Sequence, residues 1–366
     1  MKCLVWLLAA GVALVHSPAH ASQSSGDAAH VSVDSCGRNA ICGLKNPEDV
    51  VRLGNTRFAV ASSLARAPDS QSHLYLVDLA SKNAAPLLPT MDPATQRSLD
   101  PDCAPPQNFR TLITHGLSSR SDGPDHGRLY VVNHGGNQSI EMFEWHVHGR
   151  NVALTWRGCV RVPPTVLANA VAPLPDGVAV TSFGSPDDPK LANLMAGRPS
   201  GFVMVWSKRT GWAHLKGSHL PGDNGVESSA DGKTLYVAAW TDHALWILSR
   251  DGRRAPTRVP LGNFHPDNIH WQHDGTLLIA GEVGNPSTIL SCSPQKICDT
   301  PSMLEVFNPA QGGIAAQQFI PPTPHFGAAS TAIRYQGRYW LGSFLGDRIV
   351  QTQLAPAANK HGYGAR

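Results

Sequence analysis

Charge is scarce in this chain. Asp, Glu, Lys and Arg make up 16% of 366 residues, and 30 Lys and Arg face 27 Asp and Glu. A net charge of +3 with no basic run among aromatics excludes a surface built for nucleic acid. Long apolar runs are also missing. Only Leu4–Val15 is continuous, and it is short for a span, so no membrane span is expected in the mature chain. Short hydrolase and metal motifs are absent too: there is no Gly-x-Ser-x-Gly, no His-Glu-x-x-His and no Cys-x-x-Cys. A serine hydrolase with a nucleophile elbow, a zincin and a cysteine-zinc site are thereby disfavoured. What is abundant is glycine (34) and proline (29), a mixture that suits many short strands joined by tight turns.

The N-terminus reads as a secretory signal. Lys2 supplies a positive start, Leu4–Val15 the apolar region, and Ala19-His20-Ala21 small residues at a cleavage site before Ser22. Residues 1–21 are therefore expected to be removed. Residues 22–35 are small and polar and read as disordered, and 355–366 as a solvated tail. Removal of Cys3 leaves six cysteines, an even count that suits three disulfides in an exported protein. Cys36 with Cys42 and Cys292 with Cys298 share one spacing, so local pairing leaves Cys103 with Cys159. The other connectivities of six cysteines remain open.

Between 36 and 354 one pattern recurs: a β-rich run, a turn, and a second run. The openings fall at Arg57, Arg128, Gly177, Thr234, Thr276 and Arg338. Propeller blades run at about 40–50 residues and are lengthened by insertions. Asp-Gly pairs at 176–177, 231–232, 251–252 and 274–275 mark hairpins or strand entries. Six units predict an all-β, six-bladed propeller, with a barrel or sandwich as alternatives. The Pro-rich stretch 83–110 reads as a loop insertion, and Lys190–Met195 as a short helix within a long loop.

In a propeller, residues far apart in sequence meet at one mouth of a central tunnel. Glu48, Asn169, Asn224, Asp267 and Asn268 each stand at a turn just before a predicted strand. Together they would form an oxygen cage suited to a hard cation such as Ca²⁺. His115 in Thr-His-Gly-Leu and His134 in Val-Val-Asn-His would bring imidazoles beside it. Each residue alone reads equally well as a turn or packing residue. His146 and His148 alternate along a strand in Trp-His-Val-His, but the sequence shows no third ligand for zinc.

Taken in order, these elements resemble the paraoxonase family, within the wider group of gluconolactonase-like and regucalcin-like propellers. The resemblance rests on Glu48-Asp49 before a strand, the His115-Gly116 turn and Val131-Val132-Asn133-His134. It continues through Asn224-Gly225 before Asp231-Gly232-Lys233, then Asp267-Asn268-Ile269 and a closing strand pair. It spans about residues 44–354. It implies a calcium-dependent hydrolase of lactones or aryl esters, with Glu48, Asn169, Asn224, Asp267 and Asn268 as ligands of a catalytic Ca²⁺ in the tunnel. His115 and His134 match the family's proton-transfer dyad. A second, structural Ca²⁺ would use Asp49, the carbonyl of Leu117 and a carboxylate beside Asn169. That last position is Ala170, so the second site is expected to be lost or weak. A pocket-wall histidine of the family aligns with Glu282. The implied partner is a small-molecule ester or lactone. A non-catalytic binding propeller and a sugar lactonase are the competing readings.

Overall fold

The computed structural model describes residues 36–65, 72–91, 100, 102–106, 108–136, 138–188, 190–293 and 298–353. The segments read as a signal sequence (1–21), a disordered stretch (22–35) and a C-terminal tail (355–366) lie outside these residues. Six small sheets, antiparallel but for one added strand, form the fold, one per blade of a β-propeller. Their innermost strands are Val50–Arg52, Thr114–Ser121, Ala168–Leu174, Asp223–Ser228, His265–Trp271 and Ala329–Tyr335. Each packs against the next, and the last packs against the first, so the ring closes. The N-terminal strand Ala40–Cys42 joins the sixth blade as its outermost strand, paired antiparallel with Arg348–Thr352. Chain beginning and chain end thus share one sheet, which ties the ring shut without leaving an open inner edge.

The repeated runs of the sequence are the second and third strands of each blade, not the first. Phe58–Ala61, His126–Asn133, Gly177–Ser182, Thr234–Ala239, Leu277–Glu282 and Arg338–Ser343 are all second strands. They are apolar because both faces meet neighbouring blades; Phe58, Leu129, Val180, Val237, Ile279 and Leu341 are fully buried. Trp145, Trp156, Trp240 and Trp340 fill the spaces between sheets and loops. Residues 83–110 are only partly a loop. Asn83–Leu87 completes the first blade, and Thr90–Met91 adds a parallel fifth strand to the second. The short helix is present as Ala192–Met195.

The disulfides are Cys36–Cys42, Cys103–Cys159 and Cys292–Cys298, the local pairing expected. Three such bonds suit an oxidising, extracytoplasmic compartment. Among the described residues no helix is long and apolar enough to cross a membrane.

The inner strands carry one further device. Pairing with the second strand slips at the same place in five blades: between Thr114 and Leu117, Ala168 and Val171, Asp223 and Val226, Pro266 and Ile269, and Ala329 and Thr331. A β-bulge re-aims side chains and bends the strand. Here the bulged residues include His115, Asn169, Asn224, Asp267 and Asn268. Neighbouring bulges press backbone against backbone. A Cβ on Gly116 would lie 2.3 Å from the Asn169 carbonyl oxygen, and one on Gly225 would lie 2.4 Å from that of Asp267. Gly225→Ala should therefore force the fourth and fifth blades apart and cost about 1–3 kcal/mol. Urea unfolding measures this directly; an unchanged midpoint would mean that the inner ring yields without strain.

Candidate functional site

The bulges set one mouth of the tunnel. Glu48 enters from the first blade, where Asp49 continues the inner ladder through its carbonyl, which accepts from the Ser62 N–H at 2.8 Å. Glu48, Asn169, Asn224, Asp267 and Asn268 are all buried. Adjacent members are tied together. The Asn268 side-chain amide donates to Glu48 Oε1 at 2.7 Å, and Ser330 of the sixth blade donates to the Glu48 carbonyl at 2.5 Å. Thr181 donates to the Asn224 carbonyl at 2.5 Å and also receives the Ala170 N–H.

Three of the five residues keep an oxygen that receives no hydrogen bond although it is shut off from solvent: Glu48 Oε2, Asn169 Oδ1 and Asn224 Oδ1. Buried acceptors are nearly always satisfied, so three orphans in one ring require an explanation. The charges ask the same question. Burial, with Asp49 and Glu282 nearby, holds the Glu48 carboxyl well above the usual range. Burial and the charges of Glu282 and Glu48 do the same to Asp267. Glu282 hydrogen-bonds to Asp267, accepts from Trp240 Nε1 at 3.1 Å, and is pushed by burial to about 7. Uncompensated carboxylates in such a place are costly. A divalent cation among these oxygens would satisfy the orphans and offset the repulsion, so the residues present fit Ca²⁺. Among the described residues no three His, Cys, Asp or Glu side chains form such a group; the amides complete the set.

Glu282, the position at which the family carries a pocket-wall histidine, is a third buried carboxylate and hydrogen-bonds to Asp267. Its signal was the strand opposite His265-Pro266, with which it pairs directly.

The imidazoles lie beside this cage. His115 Nδ1 is 2.9 Å from His134 Nε2, and His134 Nδ1 is 3.0 Å from Gln138 Oε1. The Gln138 amide nitrogen donates to the Val166 carbonyl at 2.7 Å, which turns its oxygen toward His134. That oxygen only accepts, so His134 carries its proton on Nδ1 and accepts on Nε2. His115 must then donate from Nδ1, which leaves the lone pair on Nε2. This nitrogen is 3.6 Å from Glu48 Oε2 and faces the cage. Burial lowers the pKa of His134 and keeps it a neutral acceptor.

Deeper in the tunnel, Asp49 and Leu117 are in contact. The Leu117 N–H donates to Asp49 Oδ2 at 2.7 Å. Asp49 Oδ1 accepts from the Val50 N–H, Thr331 Oγ1 and His270 Nε2, the last at 2.6 Å. On its other side the His270 ring lies 3.7 Å from Glu227 Oε1. Burial alone would lower the His270 pKa, but Asp49 and Glu227 raise it to about 10. The two carboxylates thus favour the charged form of His270 beside Asp49.

Comparison with protein-family models and with curated proteins found no match. Solved structures resemble the chain in fold. A luciferin-regenerating enzyme is 10% identical over 87% of this chain and 94% of its own, with a TM-score of 0.49. A protein provisionally described as a gluconolactonase is 12% identical over 86% and 90%, with a TM-score of 0.46. A PQQ-bound aldose sugar dehydrogenase from Streptomyces coelicolor is 15% identical over 87% and 97%, with a TM-score of 0.49. Likeness at this level carries no argument about chemistry.

Loops between second and third strands rise around the same mouth. Leu194 and Trp240 pack with Ile289, Cys298, Ala328 and Phe344, contributed by four blades, into an apolar collar. Met195 and Leu290 on its two short helices are exposed, as is Leu167 before the third inner strand.

The buried ion pair generates a stability prediction. His270→Leu strands the Asp49 carboxylate without a counter-charge and should cost about 3–5 kcal/mol in chelator-treated protein. Denaturant titration reads it, and a loss below about 1 kcal/mol would mean that the pair is dispensable.

Proposed function

We propose that this chain is a calcium-dependent hydrolase of lactones or aryl esters. The observation that carries the reading is the set of orphaned buried oxygens on Glu48, Asn169 and Asn224, ringed by Asp267 and Asn268 and faced by His115 Nε2. Glu48, Asn169, Asn224, Asp267 and Asn268 would hold the ion. Bound there, Ca²⁺ supplies Lewis acidity toward an ester carbonyl and its developing oxyanion.

The chain's own residues do the proton work. His115 Nε2 is oriented to take a proton from water as its oxygen bonds to the carbonyl carbon. The His115 Nδ1–H bond to His134 Nε2 then stabilises the new charge, and the proton can pass along it. Gln138 fixes the tautomer of His134 and so the direction of the relay. Cleavage of the acyl C–O bond returns a proton to the departing alkoxide. In a lactone the leaving group stays attached, which gives a hydroxy acid.

The exposed Leu167, Met195 and Leu290 support an aliphatic or aryl substrate over a sugar lactone.

Turnover of an aliphatic lactone or phenyl acetate should vanish with EGTA and return with Ca²⁺. Asn224→Ala should abolish it while the near-UV circular dichroism persists. His115→Gln should lower kcat by about a hundredfold or more and leave calcium affinity nearly unchanged. Chelator-insensitive turnover would contradict the metal role. Full activity in His115→Gln would contradict the relay.

A further inference from the structure

The histidines at 146 and 148 acquire a third partner in the fold. Ser139–His148 is a strand of the second blade, and its alternate residues His146 and His148 point to one face. The neighbouring strand His126–Asn133 places His126 directly opposite His146. On the other side the partners of His146 and His148 are the small Ala153 and Asn151. Three imidazoles therefore share one face at the rim of the blade. The rings of His126 and His146 have centroids 5.7 Å apart at 13°, and those of His146 and His148 are 6.1 Å apart at 2°. Two histidines one residue apart on a strand, with a third on the adjacent strand, form a natural facial set for one metal ion.

The surrounding carboxylates fit that role. Asp125 Oδ1 is 3.0 Å from His126 Nδ1, and Glu144 Oε1 is 3.0 Å from His146 Nε2. A carboxylate on one ring nitrogen fixes the tautomer and leaves the lone pair on the other, the usual outer partnership of metal-bound imidazoles. Glu144 is itself held by Arg157, whose Nε donates to Oε2 at 2.6 Å. As they stand the rings lie side by side, and no such trio among the described residues converges on a point. Closure requires the rings to turn until their nitrogens lie about 3.3 Å apart, as metal–nitrogen bonds of about 2.0–2.1 Å demand. His126 and His146 keep side-chain exposures of 41% and 38%, so packing does not oppose that turn.

We propose that His126, His146 and His148 form a binding site for a borderline divalent transition-metal ion such as Zn²⁺. Imidazole selects Zn²⁺, Ni²⁺ or Cu²⁺ over the oxygen-seeking Ca²⁺. The site is separate from the tunnel mouth. Thr114 pairs with Asn133 at the mouth, whereas Ser121 pairs with Gly127 at the far end of the same strands, beside His126. A bound ion would clamp the two long strands of the second blade.

The test uses the full chain without a histidine tag, freed of transition metals and saturated with Ca²⁺. Calorimetric titration with Zn²⁺ should show one equivalent bound and a higher thermal midpoint. His126→Ala and His148→Ala should each weaken binding by about tenfold or more. His214→Ala, on another blade, should not change it, and Asn224→Ala should still bind Zn²⁺. Absence of Zn²⁺ binding, or binding indifferent to both His126→Ala and His148→Ala, would overturn the proposal. Circular dichroism of each variant shows whether a loss comes from the site or from unfolding.

Discussion

Buried oxygen that no protein donor satisfies is the constraint on which this structure turns. Glu48, Asn169 and Asn224 each withhold one oxygen from solvent and from hydrogen bonding, on three different blades. Unsatisfied buried acceptors are costly, and the closed ring is what holds these three in place. Closure by Ala40–Cys42 on the sixth blade, the aligned bulges and the tight backbone contacts at Gly116 and Gly225 all follow from holding those strands in place. The dyad depends on the same geometry, because His115 sits in the bulge of the second blade.

The tunnel handles charge in two ways. At the mouth, Glu48, Asp267 and Glu282 crowd together with too few donors, a layout that favours an exchangeable cation. One step deeper, Asp49 has donors for both oxygens, and its neighbour His270 is held toward its charged form by Asp49 and Glu227. A carboxylate short of donors and one with donors on both oxygens thus stand next to each other in sequence, at Glu48 and Asp49.

The fold was legible where burial leaves a mark. Second and third strands such as Thr234–Ala239 and Ala244–Ser249 are apolar because neighbouring blades cover them, and their spacing revealed six units. The inner strands were read as turns. Thr114–Ser121 and Asp223–Ser228 are polar where they face the tunnel, glycine-bearing where backbones touch, and slipped in register by the bulge, so no alternation survives. The outer strands Asn83–Leu87 and Thr257–Pro260 are largely exposed and carry proline, and they too gave no pattern. The candidate residues stood out although the strands did not, because Asn, Asp and His at bulges look like Asn, Asp and His at turns. The contacts of Gln138 and Glu282 were not legible, since each depends on a partner that only the fold supplies. His126 was missed as a companion of His146 for the same reason: cross-strand register is not written in local sequence.

The central claim is that the orphaned oxygens bind one cation. Calcium titration of metal-free protein, followed by calorimetry, tests it most directly. The account predicts one equivalent per chain, lost in Asn169→Ala and in Asn224→Ala and retained in His270→Gln. No calcium bound by folded protein, or binding that survives both asparagine substitutions, would contradict it.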